Sequence, residues 1–450
     1  VTDDRFTVPS SRPEKDVPSQ PSTAPPSVPA GSTASRRGGI PVVITWILTR
    51  AVMLVLAATV EQVATGDVTY YWRKIAALGE VGLGQAMNEY PTPVVWMLSV
   101  PYGLGVGSHV GYLIAFVGLM MLLDAAFAWT LWRTAGRRHD AGLTFWIWFV
   151  FLMGPLCYLR FDMVPAVLAG LGILVWRRRP AVTGILTGLA AAIKLWPALL
   201  IFPFTAARRG RRATLVGFLV SGVGLAVISL ITGGLPRLVS PLTWQSDRGL
   251  QIESIWATVL MMLRIPRPDT WVVGMSRYQA FEVFGPGVGA WLAISTIATL
   301  LGFVIMTVLY VRGYRTPEPT SGTIGIVILA TIAIMTITNK TLSPQYLVWL
   351  GGPMAALLIM RSRDAAGRPT VFSRFAIQLL VLALLTHLVY PLTYTGLYEA
   401  PHGGMFVTST ILLLVRNLCL LVFTVSVIAV AWRVTGRRPD PEVLGSPGPS

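Results

Sequence analysis

The chain has 450 residues, 54% of them hydrophobic and only 12% charged, with a mean hydropathy of +0.64. Soluble domains carry about 25% charged residues, so a water-soluble fold is excluded: a core of this size would have too little polar surface to cover it. The formal net charge of +16 suggests a nucleic-acid surface, but the placement of the basic residues points elsewhere.

Residues 1–39 are rich in Pro, Ser, Thr and Ala and close on Arg36-Arg37. Such a segment cannot bury enough apolar surface to fold, which predicts a disordered cytoplasmic tail. Residues 436–450 read the same way, leaving 40–435 as one membrane domain. A membrane span needs about 20 apolar residues, fewer where a helix is broken. Spans are predicted at 41–64, 109–132, 142–159, 163–176, 212–232, 287–311, 323–338, 346–360, 375–393 and 406–432. Residues 181–206 are interrupted by Lys194 and Pro197 and flanked by arginines, which predicts a hairpin of two short helices with Lys194 at its outer tip. The fold class is thus an all-α polytopic membrane protein with about twelve spans.

Lys and Arg near span ends mark the cytoplasmic side. With the N-terminus inside, cytoplasmic segments hold 24 basic against 9 acidic residues. The excess positive charge is therefore a topology signal, and both termini are expected inside. Two extracytoplasmic loops are long. The first, 65–108, holds Gly66-Asp67, Tyr70-Tyr71-Trp72 and Glu89-Tyr90-Pro91-Thr92-Pro93, followed by an apolar stretch too short to span and expected at the outer interface. The second, 233–286, holds Arg248, Gln251 and Glu253. Long ordered loops usually carry function.

Asp67 stands at the water–lipid boundary, where a carboxylate can act as a general base on a water-borne acceptor or simply cap a helix. Lys194, an ammonium in an apolar stretch, either grips an anion such as a phosphate or snorkels to the interface. Lys340, in the polar turn Asn339-Lys340-Thr341, is a second candidate for phosphate. Arg160 and Asp162 flank Phe161 at another outer turn and are placed to pair with each other. Arg248, Gln251 and Glu253 offer donors and acceptors that suit sugar hydroxyls and loop packing equally well. Four scattered histidines, His402 and His387 among them, form no metal motif. Within the first two spans, Arg50 and Asp124 fall at similar depth, where pairing is the economical arrangement; Arg416 is the other candidate partner for Asp124.

Together the loop aspartate, the Glu-Tyr-Pro-x-Pro lead-in, Arg160-Phe161-Asp162, Lys194-Leu195-Trp196-Pro197 and the turn Asn339 to Trp349 resemble the GT-C membrane glycosyltransferases, and most of all glycosyltransferase family 87 of actinobacteria. The resemblance covers the membrane region and neither tail. It implies a polyprenyl-monophosphate sugar donor, often of mannose, inversion at the anomeric carbon, no cofactor, and Asp67 as the catalytic base, with Glu89 in reserve. It implies phosphate contacts from Lys194, Lys340 and Arg160, and substrate contacts from Glu89, Tyr90, Asp162, Arg248, Gln251, Glu253, Gln345, Tyr346 and His402. The acceptor is a lipid or glycan, met on the extracytoplasmic face of the cell membrane. Gln345-Tyr346 stand where a phosphatidylinositol-mannoside branch has a His-His pair, so the sugar and acceptor stay open, a pentose such as arabinose included. Broken helices and intramembrane charges also mark transporters and flippases; the gathering of polar residues in asymmetric outer loops, without an inverted repeat, speaks for an enzyme.

Overall fold

A computed structural model describes residues 39–135, 141–361, 370–398 and 404–436. Apart from Gly39 and Gly436, the two predicted tails lie outside the described residues. Residues 39–43 form the first turn of α1, and all packing described here lies within the compact unit Ile44–Ser450.

The main helices are α1 (Gly39–Thr59), α2 (Gly66–Ala76), α3 (Thr92–Leu104), α4 (His109–Ala135), α5 (Ala141–Met153), α6 (Met163–Val175) and α7 (Pro180–Ile193). After a broken arm come α8 (Arg211–Phe218), a π turn, α9 (Gly224–Asp247) and α10 (Ile255–Arg264). The rest are α11 (Val288–Arg315), α12 (Ser321–Thr338), α13 (Val348–Arg361), α14 (Val371–His387) and α15 (Gly404–Val434). Seven helical stretches among the described residues are long and apolar enough to cross a membrane. They account for seven of the twelve predicted spans. Four more are helices α5, α6, α7 and the Pro344–Met360 stretch, all under 18 residues, and the last is a short arm of two fragments, Trp196–Leu200 and Ile201–Phe204.

Short helices with irregular ends survive in an apolar environment only where protein covers their free backbone groups. The burial pattern fits: α5 and α6 are largely interior, and 83% of α12 is buried. Helices α6 and α13 cross closely at glycines, because a Cβ on Gly352 would lie 2.1 Å from the carbonyl oxygen of Ala166. Close approach through small residues is the usual basis of helix packing in lipid.

Two boundaries differ from the sequence reading. Helix α5 stops at Met153, not 159, because Gly154 turns to φ +72° and Pro155 cannot extend the hydrogen-bond ladder. The second long loop begins near 248 rather than 233: α8, the π turn and α9 run on to Asp247, bending at Gly234 (φ +77°). That loop then holds α10, capped by Ser254 Oγ accepting from the amide of Ala257, and an unforeseen hairpin of β1 (Val272–Met275) with antiparallel β2 (Phe281–Phe284).

Arg50 and Asp124 pair as expected. Arg50 Nε lies 2.9 Å and Nη2 3.1 Å from the two carboxylate oxygens. Asp124 also accepts from Trp46 Nε1, Trp146 Nε1 and Tyr158 Oη, while Arg50 Nη1 donates to the carbonyl of Ile147. Arg416 is engaged elsewhere, 3.1 Å from Glu253. The knot joins α1, α4, α5 and the segment after α5, with both side chains at most 2% exposed. Breaking a buried pair by removing one partner costs about 3–5 kcal/mol. Asp124→Leu should lower thermal stability in detergent more than Arg50→Leu, since it strands three neutral donors besides the guanidinium. The double variant should lose less than the sum of the two. Strictly additive losses would contradict the pairing.

Candidate functional site

Helix α2 opens on Gly66-Asp67, and a carboxylate in a first turn is favoured by the helix dipole. Asp67 is 41% exposed, and its Oδ2 lies 2.6 Å from Arg160 Nε, too bent for an aligned hydrogen bond and so a close charge contact. Arg160 is buried in the irregular stretch after α5. It donates from Nη1 to the carbonyl of Ala64 at 3.0 Å and from Nη2 to Tyr390 Oη at 3.2 Å. One guanidinium thus spans the turn that leads into α2 and orients the Asp67 carboxylate, while the side chain keeps access to solvent.

Arg160 and Asp162 do not pair with each other, contrary to the expectation from their spacing. Asp162 accepts from Lys194 Nζ and from Trp349 Nε1, both at 2.7 Å on Oδ1. The Lys194 ammonium also lies 5.2 Å from the ring centroids of Phe161, Tyr346 and Trp349, so it is caged by aromatic faces and neutralised by a carboxylate. The break that puts it there follows from sequence: Pro197 supplies no amide hydrogen, and Lys194 leaves α7 in extended conformation. Arg160 and Lys194, both expected to hold donor phosphate, therefore already have carboxylate partners in this structure.

The other candidates fall into three places. Near Asp67, the Tyr70 hydroxyl donates to Glu89 Oε1 at 2.6 Å; burial, then the Glu89 charge, raises the pKa of Tyr70 and holds it protonated as the donor. Tyr90 packs edge-on against Phe161 and Tyr71. Tyr346 stacks on Trp349 at 4.2 Å beside half-buried Gln345. Around the 339–343 turn, Lys340 Nζ donates to the carbonyl of Ser246, and Gln251 donates to Ser343 Oγ. Burial lowers the Lys340 pKa, Glu282 and Asp247 oppose this, and Arg248 adds to it, so two cations share this corner. Glu253 stands apart, fully buried on Arg416 and fixing the loop to α15. His402 lies outside the described residues.

Sequence reasoning missed Arg237. It is 1% exposed and clasps the first outer loop through the carbonyls of Tyr90 (2.7 Å) and Met87 (3.2 Å). The available signal was a lone arginine just after Gly233-Gly234 in an apolar stretch. Beside this clasp lies an apolar groove of about 220 Å³, bounded by Pro91, Pro93, Ala191, Leu195, Phe218 and Pro241.

The match to known proteins now has a site to attach to. The model of glycosyltransferase family 87 matches residues 88–336, more than half of the chain. The chain belongs to glycosyltransferase family 87. It is accordingly a multi-pass membrane glycosyltransferase, using a sugar donor and an acceptor. The matched segment contains Glu89, Arg160, Asp162 and Lys194; Asp67 precedes it, and Lys340 and Tyr346 follow it. No curated protein matches the chain.

The caged lysine makes a prediction about stability. Lys194→Met should destabilise the donor-free protein by about 3 kcal/mol, because it strands a carboxylate that is 2% exposed. Adding Asp162→Asn should recover part of the loss. Unchanged thermal stability of Lys194→Met in detergent would show that the ion pair is not structural.

Proposed function

We propose that this family 87 enzyme inverts the anomeric centre of a sugar, mannose being the first candidate, as it moves the sugar from a polyprenyl-monophosphate donor to a hydroxyl of a lipid or glycan acceptor. Asp67 is the general base. The observation that carries this reading is a carboxylate held on one side by a buried guanidinium and still 41% exposed on the other. Few arrangements suit a base better: the group is oriented before the substrate arrives, yet reaches a water-borne hydroxyl.

In the reaction Asp67 takes the acceptor proton as the acceptor oxygen bonds to the anomeric carbon. The bond from that carbon to the phosphate oxygen breaks, and its electron pair leaves with the polyprenyl phosphate. The charge that develops there needs fixed positive charge nearby. With Arg160 and Lys194 occupied by carboxylates, we assign that role to Lys340 and Arg248. Gln251 at the same corner, with Gln345 and Tyr346 beside the Lys194 cage, is assigned to sugar hydroxyls, and Glu89 and Tyr90 to the acceptor. The polyprenyl chain is assigned to the apolar groove beside Pro91 and Leu195, which lies between the first outer loop and α9.

The side of the membrane is supported by the charge at the two ends of α6 and α7. Arg177, Arg178 and Arg179 lie between these helices, whereas Asp162 precedes α6 and Lys194 follows α7. Arginine-rich ends are usually cytoplasmic, and this supports our assignment of Asp67 and its neighbours to the extracytoplasmic face, with both termini inside.

Transfer from a defined polyprenyl-phosphate mannose by purified protein tests the proposal. Asp67→Asn should bind donor but turn over roughly a hundredfold more slowly. Lys340→Met should weaken donor binding by roughly tenfold, about 1.4 kcal/mol. Normal turnover by Asp67→Asn would reject the base, and movement of the lipid-linked sugar across the bilayer without transfer would reject the reaction.

A further inference from the structure

Glu61 and His387 stand outside the machinery described so far. Glu61 follows α1 and is 1% exposed; His387 ends α14 and is 9% exposed. His387 Nε2 lies 2.8 Å from Glu61 Oε1, while the second oxygen of Glu61 is buried without a partner. A buried polar pair this far from solvent costs free energy to desolvate, and such pairs are kept in some proteins because they fix one arrangement of the chain. The ring also requires Gly154: a Cβ there would fall 2.5 Å from His387 Nε2.

What the pair fixes can be followed atom by atom. The Glu61 carbonyl accepts from the amide of Ala64, closing the 3-10 turn Gln62–Thr65 that runs straight into α2. The Ala64 carbonyl is held by Arg160, and Asp67 lies three residues further on. On the other side His387 leads directly into the π turn Leu388–Leu392, where Tyr390 accepts from the same guanidinium. Glu61, the turn, Arg160, Tyr390 and His387 therefore form a closed circuit, with Asp67 attached to it through Arg160.

We propose that Glu61 and His387 are positioning residues for the base: they pin the start of the Glu61–Asp67 segment to the end of α14, as Arg160 pins its end. The inference rests on Asp67 being the base. Release of one pin lets the carboxylate drift, and displacement by about 1 Å can cost up to a hundredfold in rate. The donor, held by other groups, should not notice.

The test is steady-state transfer by the full-length protein from a defined polyprenyl-phosphate mannose. His387→Leu should lower kcat by roughly tenfold or more with the donor KM within about twofold. His387→Gln, which keeps an N–H of similar reach, should restore most of the rate, and its comparison with Glu61→Ala serves if the leucine variant does not fold. In an Asp67→Asn background, His387→Leu should add little, because the group it positions is gone. The same fold-loss in that background, or a loss carried by KM, would overturn the positioning role. Normal turnover by Asp67→Asn alone would instead remove the base, and with it the function assigned to the pair.

Discussion

A charged group inside an apolar bundle must be paired, and in this protein three such pairings converge on one irregular stretch, residues 154–162. Tyr158 donates to the Asp124–Arg50 knot, Arg160 holds Asp67, and Asp162 holds Lys194. Phe161 packs against Tyr71 and Tyr90 of the first outer loop. Non-helical backbone at this depth is tolerated only when protein surrounds it, and here every residue of 154–162 is buried, with Tyr71, Trp349 and His387 packed against it. The stretch is thus both a packing liability and the scaffold from which the site is hung.

For the proposed reaction the consequence is preorganisation. Asp67 sits on a short loop helix whose leading turn is gripped by a buried arginine and whose Tyr71 packs against Tyr90, Phe116 and Phe161. Arg237 ties the far end of the same loop, at Met87 and Tyr90, to the helix leading into the second loop. The first loop and α9 are therefore joined beside one apolar groove. An orienting environment built in advance is the main means by which a protein without covalent chemistry of its own lowers a barrier.

Much of this was legible in the sequence because lipid imposes strong rules. Apolar runs located the helices, Lys194 and Pro197 located the break after α7, and the cost of burying Arg50 and Asp124 alone foretold their pairing. Partner choice was harder. Arg160 and Asp162, two residues apart, point to different partners because the chain there runs through bends and turns that lead into α6, and the sequence does not reveal the rotation of such a stretch. Glu61 and His387 are more than 300 residues apart and carry no local motif. The continuation of α9 past Gly234 was hidden because Gly233, Gly234 and Pro236 read as a loop start, whereas the backbone is helical on both sides of the kink and Arg237 just beyond it holds the first loop. The hairpin at 272–284 is held partly by Glu282, which accepts from the amide of Gly249, a contact outside the reach of local propensity.

The central claim is that the reacting atoms meet at Asp67, on the face opposite the arginine-rich turns. A structure with a non-transferable polyprenyl-phosphonate sugar tests this most directly. The account predicts the sugar against the Asp67 carboxylate, the phosphonate beside Lys340 and Arg248, and the chain in the groove between Pro91 and Leu195. A sugar bound at the turns carrying Arg177 to Arg179 or Arg208 to Arg212, with Asp67 facing only solvent, would contradict it.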